Sequence, residues 1–158
     1  MKIRAYVAAF ASVMILTTAF AAEGKIDLKG IKCAMNGKAA AKADKSVSFN
    51  GGKVFFCCGN CAKGFETKNK KDEKLRAKGN GQLVATKQAK QAKCPFSGGK
   101  LNPSTAIKVA SANNASVAFC CNNCKGKAEK LSGDDQLVKL LGDAAWKKGG
   151  FKVAKAKK

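Results

Sequence analysis

Short stretches of alternating apolar and polar residues come in pairs along this chain. Ser46–Phe49 (SVSF) alternates, Asn50-Gly51 follows as a strong hairpin-turn dipeptide, and Lys53–Phe56 (KVFF) returns. Further on, Thr105–Ala110 (TAIKVA) and Ser116–Phe119 (SVAF) flank a polar turn around Asn113-Asn114. Two β-hairpins are predicted. After each, the pattern changes. Ala62–Lys78 is rich in helix formers despite Gly64. The later stretch places Leu137, Leu140, Leu141, Ala144 and Ala145 at helical spacing, behind a cap expected at Asp134 or Asp135. Gly79-Asn80-Gly81 is expected to end the first helix, with Gln82–Thr86 as an extra strand or an ordered linker.

The same order of elements twice is a repeat. Val54-x-Phe56-Cys57-Cys58-x-Asn60-Cys61 aligns without a gap on Val117-x-Phe119-Cys120-Cys121-x-Asn123-Cys124. Cys33 aligns on Cys94 at an offset two residues shorter, and Gly37-Lys38 matches Gly99-Lys100 after a one-residue slip. A hairpin loop can absorb the difference. The fold class is therefore α+β: two small tandem modules, each a Cys loop, a hairpin and a short helix. The expected division is a first module over 22–80, a linker or extra strand over 81–93, a second module with a C-terminal helix over 94–150, and a basic tail over 151–158. Phe49, Phe55, Phe56 and Phe65 supply most of the first core. Phe96, Phe119, Leu137, Leu140, Leu141 and Trp146 supply the second. Modules with so little hydrophobic core need a staple, either disulfides or a metal.

The N-terminus changes the compartment in which these cysteines are read. Lys2 and Arg4 precede an apolar run from Ala5 to Phe20, and Ala19-Phe20-Ala21 offers small residues for cleavage. This is the pattern of a secretory signal peptide over 1–21, with the mature chain starting at Ala22 and the protein secreted or periplasmic. The run is short and Ala-rich for an uncleaved membrane anchor. Loss of Lys2 and Arg4 lowers a formal charge of +21 by only two. Such a field favours anionic envelope polymers. Specific nucleic-acid binding is disfavoured, because lysine dominates over arginine and most Phe belong to the core.

All eight cysteines lie beyond the signal peptide, and the chain has no histidine. Any metal site here is thus sulfur-rich, which suits soft ions: Zn²⁺ with four thiolates, Cu(I) with three. If Cys57 ends a strand and Cys58 enters the first helical turn, Cys61 shares a side of that turn with both. Free N–H groups at a helix start favour thiolate. Cys33 folds over from the preceding loop. The expected ligands are Cys33, Cys57 and Cys61 in the first module and Cys94, Cys120 and Cys124 in the second. Cys58 and Cys121 are a fourth ligand, an exchange ligand or a bystander. About one ion per module, Zn or Cu(I), follows.

At these residues the chain resembles the TRASH or YHS domains, small treble-clef-like modules associated with heavy-metal trafficking, resistance and sensing. The resemblance covers roughly residues 31–68 and 92–128. It rests on Cys33 or Cys94-Pro95 with a nearby glycine, then a hairpin, then Phe56-Cys57-x-x-x-Cys61 or Phe119-Cys120-x-x-x-Cys124. The His common before the Phe-Cys pair is Phe55 or Ala118 here. The Ser common after that Cys is Cys58 or Cys121, and Ala34 stands where the second copy has Pro95. The implied function is to bind, deliver or sequester a soft metal in the cell envelope.

Two other uses compete for the same sulfurs. An even cysteine count in an exported protein suggests a disulfide-stapled basic protein, but three of each four cysteines crowd into five residues, where a vicinal bridge is strained. Cys58-Gly-Asn-Cys61 and Cys121-Asn-Asn-Cys124 have the spacing of thiol–disulfide exchange motifs, without the βαβ context of such proteins. No catalytic residue is otherwise indicated: acidic residues are scattered and no nucleophile motif or phosphate loop is present. An enzyme is not expected.

Overall fold

In the computed structural model of the protein, which describes residues 26–154, Asn50 and Gly51 take φ of 48° and 85°. These are the left-handed conformations of a type I′ turn, and they join strands β1 (Lys42–Phe49) and β2 (Gly52–Phe56) in an antiparallel hairpin. The second hairpin pairs β4 (Asn102–Val109) with β5 (Ala115–Phe119). Between the hairpins lie α1 (Gly59–Lys68), α2 (Glu73–Ala85) and a two-residue strand, β3 (Ala89–Lys90). After the second come α3 (Asn122–Glu129), α4 (Gly133–Leu141), α5 (Asp143–Lys148) and β6 (Lys152–Val153), which pairs antiparallel with β3. The architecture is α+β with two small modules built on antiparallel hairpins. The signal peptide, the start at Ala22 and the tip of the basic tail lie outside the described residues.

The register explains the unequal repeat offsets. Lys32 bridges Ala40 while Lys93 bridges Lys100, so the second Cys loop is one residue shorter. Gly37 and Gly98 share positive φ, 67° and 76°, so these two glycines correspond and the slip comes after them. The first hairpin turns between Phe49 and Gly52; the second needs the longer loop from Val109 to Ala115, including a 3₁₀ turn at Ala110–Ala112. Three residues gained there and one lost in the Cys loop leave the net two.

The helix-forming stretch Ala62–Lys78, expected to hold one short helix, contains parts of two. Asn69 ends α1, its side-chain amide donating to the Phe65 carbonyl at 2.7 Å, and Asp72 caps α2, accepting from the Leu75 amide at 3.2 Å. The expected break at Gly79-Asn80-Gly81 and the strand or linker over Gln82–Thr86 are both corrected. α2 runs through the three residues and ends at Ala85, where Lys87 takes φ of 60°. Packing overrides propensity there. A Cβ on Gly79 would lie 2.9 Å from the rings of Phe49 and Phe65, and one on Gly81 would meet Ala112 and Leu141. The glycines let α2 press against both modules at once.

Asn80, buried between them, accepts from Asn50 at 2.7 Å and donates to the Leu141 carbonyl at 2.8 Å, so no polar atom is left unpaired. Each module keeps its own core. Val54, Phe56, Phe65 and Leu83 are fully buried in the first; Val117, Phe119, Leu137, Leu140 and Leu141 are fully buried in the second. Burying one such aromatic side chain contributes roughly 1.5–3 kcal/mol. The cap of α4 is Ser132 rather than Asp134 or Asp135, which lie in the first turn and complement the helix dipole from there. Among the described residues no helix is long and apolar enough to cross a membrane.

Candidate metal centre

Each three-cysteine cluster sits where a strand hands over to a helix. Phe56 is the last residue of β2 and is fully buried, which fixes the strand end against the core. Cys57 follows it, Cys58 is the N-cap of α1 with extended backbone (φ −155°, ψ 166°), and Cys61 is in the first helical turn. The helix thus starts one residue later than the sequence suggested. Phe119, Cys120, Cys121 and Cys124 repeat this at the start of α3, with Cys121 at φ −159° and ψ 168°. Successive side chains on extended backbone point to opposite sides. Cys57 and Cys120 turn inward and are half-buried; Cys58 and Cys121 face solvent.

The third sulfur arrives from the Cys loop. The Cys33 amide donates to the Ala39 carbonyl, and the Cys33 carbonyl accepts from Gly37, both at 2.8 Å. Cys94 makes the same pair with Gly99 and Gly98, at 2.9 and 2.8 Å. Both loop cysteines are fully buried. The sulfurs of Cys33, Cys57 and Cys61 all lie within 4.8 Å of one another, as do those of Cys94, Cys120 and Cys124. Cys57 and Cys61 are 3.7 Å apart, as are Cys120 and Cys124. Sulfurs bound about 2.3 Å from one ion lie close to 4 Å apart, so the trios need only small adjustments to close on a metal. Each can hold one metal ion. All eight cysteines are free thiols.

Cys58 and Cys121 stand outside these mutual sets. Cys58 lies 3.8 Å from Cys57 and interacts with the Cys61 thiol; Cys121 lies 3.6 Å from Cys120 and interacts with Cys124. No protein-family model, curated protein or solved structure matches the chain.

A further pair of site residues escaped the sequence. Asn36 donates to the Cys57 sulfur at 3.4 Å, and the Ser97 hydroxyl lies 3.2 Å from the Cys120 sulfur. The two occupy equivalent positions in their loops, three residues beyond Cys33 and Cys94. Asn36 Oδ1 accepts from the amides of Lys38 and Ala39, and Ser97 Oγ accepts from Gly99, which aims each side chain at its sulfur. Different residue types at matching positions leave no mark on an identity-based repeat comparison.

The thiols do not ionise alike. Burial works against ionisation of Cys94, yet the Ser97 hydroxyl and the backbone amides of Ser97, Cys120 and Phe96 hold its thiol down at about 6. Cys33 is lowered in the same way, against burial, by the amides of Asn36, Cys57 and Met35. Burial, with neighbouring sulfurs adding, pushes Cys61 and Cys124 up to about 12, and Cys57 is also raised. The helix start was expected to activate all of its cysteines. It lowers only the exposed Cys58 and Cys121, through the amides of Cys61 and Cys124, although no cap hydrogen bond closes on either sulfur. In each trio the buried loop cysteine, Cys33 or Cys94, is a thiol that its surroundings lower. A cation bound between the sulfurs offsets the burial and the neighbouring sulfurs that raise Cys57, Cys61 and Cys124.

The lower end of the first site is tied to the second module. The Lys32 amide donates to Asn113 Oδ1 at 2.6 Å, and the Lys32 carbonyl accepts from Asn113 Nδ2 at 3.3 Å and Gln82 Nε2 at 2.9 Å. Asn113 sits in the inserted turn of the second hairpin. Gln82 also bonds both backbone groups of Phe55, and Gln91 does the same for Ala118. These glutamines supply side-chain amides where a third strand would otherwise pair.

Proposed function

We propose that the protein is a thiolate metal-binding protein of the cell envelope that binds, delivers or sequesters a soft ion, Cu(I) or Zn²⁺, one per module. The observation that carries this reading is the repetition of one three-sulfur cluster at equivalent positions, with its loop, strand and helix-start donors in the same order both times. Three thiolates and no imidazole favour soft ions. Polar contacts to the Cys57 and Cys120 sulfurs supply the outer support that a ligating sulfur needs. The proposed role is binding rather than catalysis, and the ion is cargo. Export through the N-terminal signal peptide, and membership of the TRASH or YHS family, belong to the same proposal.

Native mass spectrometry of the protein purified without oxygen and without added reductant, with metal analysis and thiol counting, tests it. Two ions per chain are expected. A folded protein with no metal and all eight cysteines oxidised to disulfides would refute the reading.

A further inference from the structure

In each module two of the trio sulfurs belong to a second group as well. Cys57 and Cys61 close the inner set with the fully buried Cys33, and both also approach the exposed Cys58. Cys120 and Cys124 stand in the same relation to buried Cys94 and exposed Cys121. The inner and outer sets differ by one sulfur. A four-coordinate site would need all four sulfurs at mutual separations close to 4 Å. The four do not close into one such set: Cys58 approaches Cys57 and Cys61 but lies outside the mutual set that contains Cys33, and Cys121 stands likewise to Cys94. The loop sulfur faces the core, so an acceptor cannot reach an ion from that side. Its approach is past Cys58 or Cys121.

We infer that Cys58 and Cys121 are exchange ligands: the inner trio holds the ion, and the exposed cysteine takes the place of the loop cysteine to present it to an acceptor. The inference rests on the metal-binding reading above. In the exchange one sulfur–ion bond forms at Cys58 as the one to Cys33 breaks. The Cys58 thiol gives up its proton, the Cys33 thiolate takes one up, and no oxidation state changes. The Cys57 and Cys61 bonds persist, so the ion never stands free. Three-coordination throughout suits Cu(I). The duplication of the arrangement in the second module, at closely similar separations, argues that the exposed thiol is part of the device.

The test uses the full reduced chain without oxygen, loaded with two equivalents of Cu(I). Stopped-flow absorbance follows transfer to excess bathocuproine disulfonate, and equilibrium competition with the same chelator gives affinity. Replacing both exposed cysteines (Cys58→Ser with Cys121→Ser) should slow transfer tenfold or more and leave affinity within threefold. Cys33→Ser should do the reverse at the first site, weakening it at least tenfold while transfer stays fast. Tenfold weaker binding with faster release in the double variant would make the exposed cysteines ordinary ligands. Unchanged rates would make them bystanders. Either result overturns the inference. Failure of the unsubstituted chain to take up Cu(I) would also overturn the inference, and failure to take up Zn²⁺ as well would refute the metal reading itself.

Discussion

Gly81→Ala is the sharpest probe of the helix that joins the two modules. In an exposed helix this change stabilises by about 1 kcal/mol. Here the new methyl would sit 2.4 Å from Ala112 Cβ, 3.2 Å from Ala112 Cα and 3.3 Å from Leu141 Cδ1. Carbon atoms in ordinary contact stand about 3.5–4.0 Å apart. Ala112 has no side-chain torsion that would move its Cβ aside, so α2 and the turn of the second hairpin must separate by about 1 Å. Overpacking of this kind costs about 1–3 kcal/mol. Near the top of that range, less the propensity gain, the variant should lose about 2 kcal/mol, or about 8 °C in melting temperature for a chain of this size. Urea denaturation of the reduced, metal-free protein reads the change as a shift in midpoint at constant slope. Adding Ala112→Gly to Gly81→Ala should recover part of the loss, a coupling that a double-mutant cycle isolates. A variant stabilised by about 1 kcal/mol, or a double variant no better than the single, would refute the close approach of α2 to the second module.

Three further outcomes follow from the site. Cys61→Ser should abolish the first ion and spare the second, and Cys124→Ser the converse, as counted by metal analysis; loss of both ions from either variant would contradict separate trios. Asn113→Ala should weaken the first site about fivefold, the equivalent of one lost hydrogen bond of about 1 kcal/mol, and speed hydrogen exchange at the Lys32 amide, with the second site unchanged. In the reduced, metal-free protein the Cys94 thiol ionises at about 6 instead of 9.0, so its thiolate stabilises the fold fully above pH 9, and that contribution is lost as pH falls to 6. Thiolate absorbance near 240 nm should therefore persist to about pH 6 and lose this component in Cys94→Ser; identical titration curves would count against the amide-lined loop.

The hairpins and the cysteine clusters were legible in the sequence because their causes are local. Asn50-Gly51 specifies its own turn, and Phe-Cys-Cys at a strand end carries its spacing into the fold. The register of Leu137, Leu140 and Leu141 was legible for the same reason: all three face one core. α2 was not. Gly79 and Gly81 read as breakers because local propensity knows nothing of Phe49, Phe65 or Ala112, whose closeness is what excludes a side chain there. The division of the first helix did leave a signal, an aspartate at Asp72 three residues before Leu75, which is a cap pattern. Gln82 and Gln91 left none, nor did Gln88, which bonds both backbone groups of Lys53. A single glutamine bonding to a strand distant in sequence has no period and no motif. The partition of the cysteines was half visible: the repeat named the trios, but the inward and outward turns of the vicinal pair depend on the backbone at the cap.

The last strand carries a consequence for how the chain comes into being. β6 pairs with β3, and Val153 packs beside Gly51 and Gly52 at the turn of the first hairpin. Gln88, whose amide bonds both backbone groups of Lys53, also accepts from the Ala154 amide through its own carbonyl. The first module is made first, yet part of its outer edge is covered by residues 152–154, made after the second module's helices. The molecule is thus not a string of beads that can each be finished in the order of synthesis. A nascent chain halted after the first helix pair already carries Cys33, Cys57, Cys58 and Cys61, but the β3–β6 pair and the Val153 contact form only once residues 152–154 have been made.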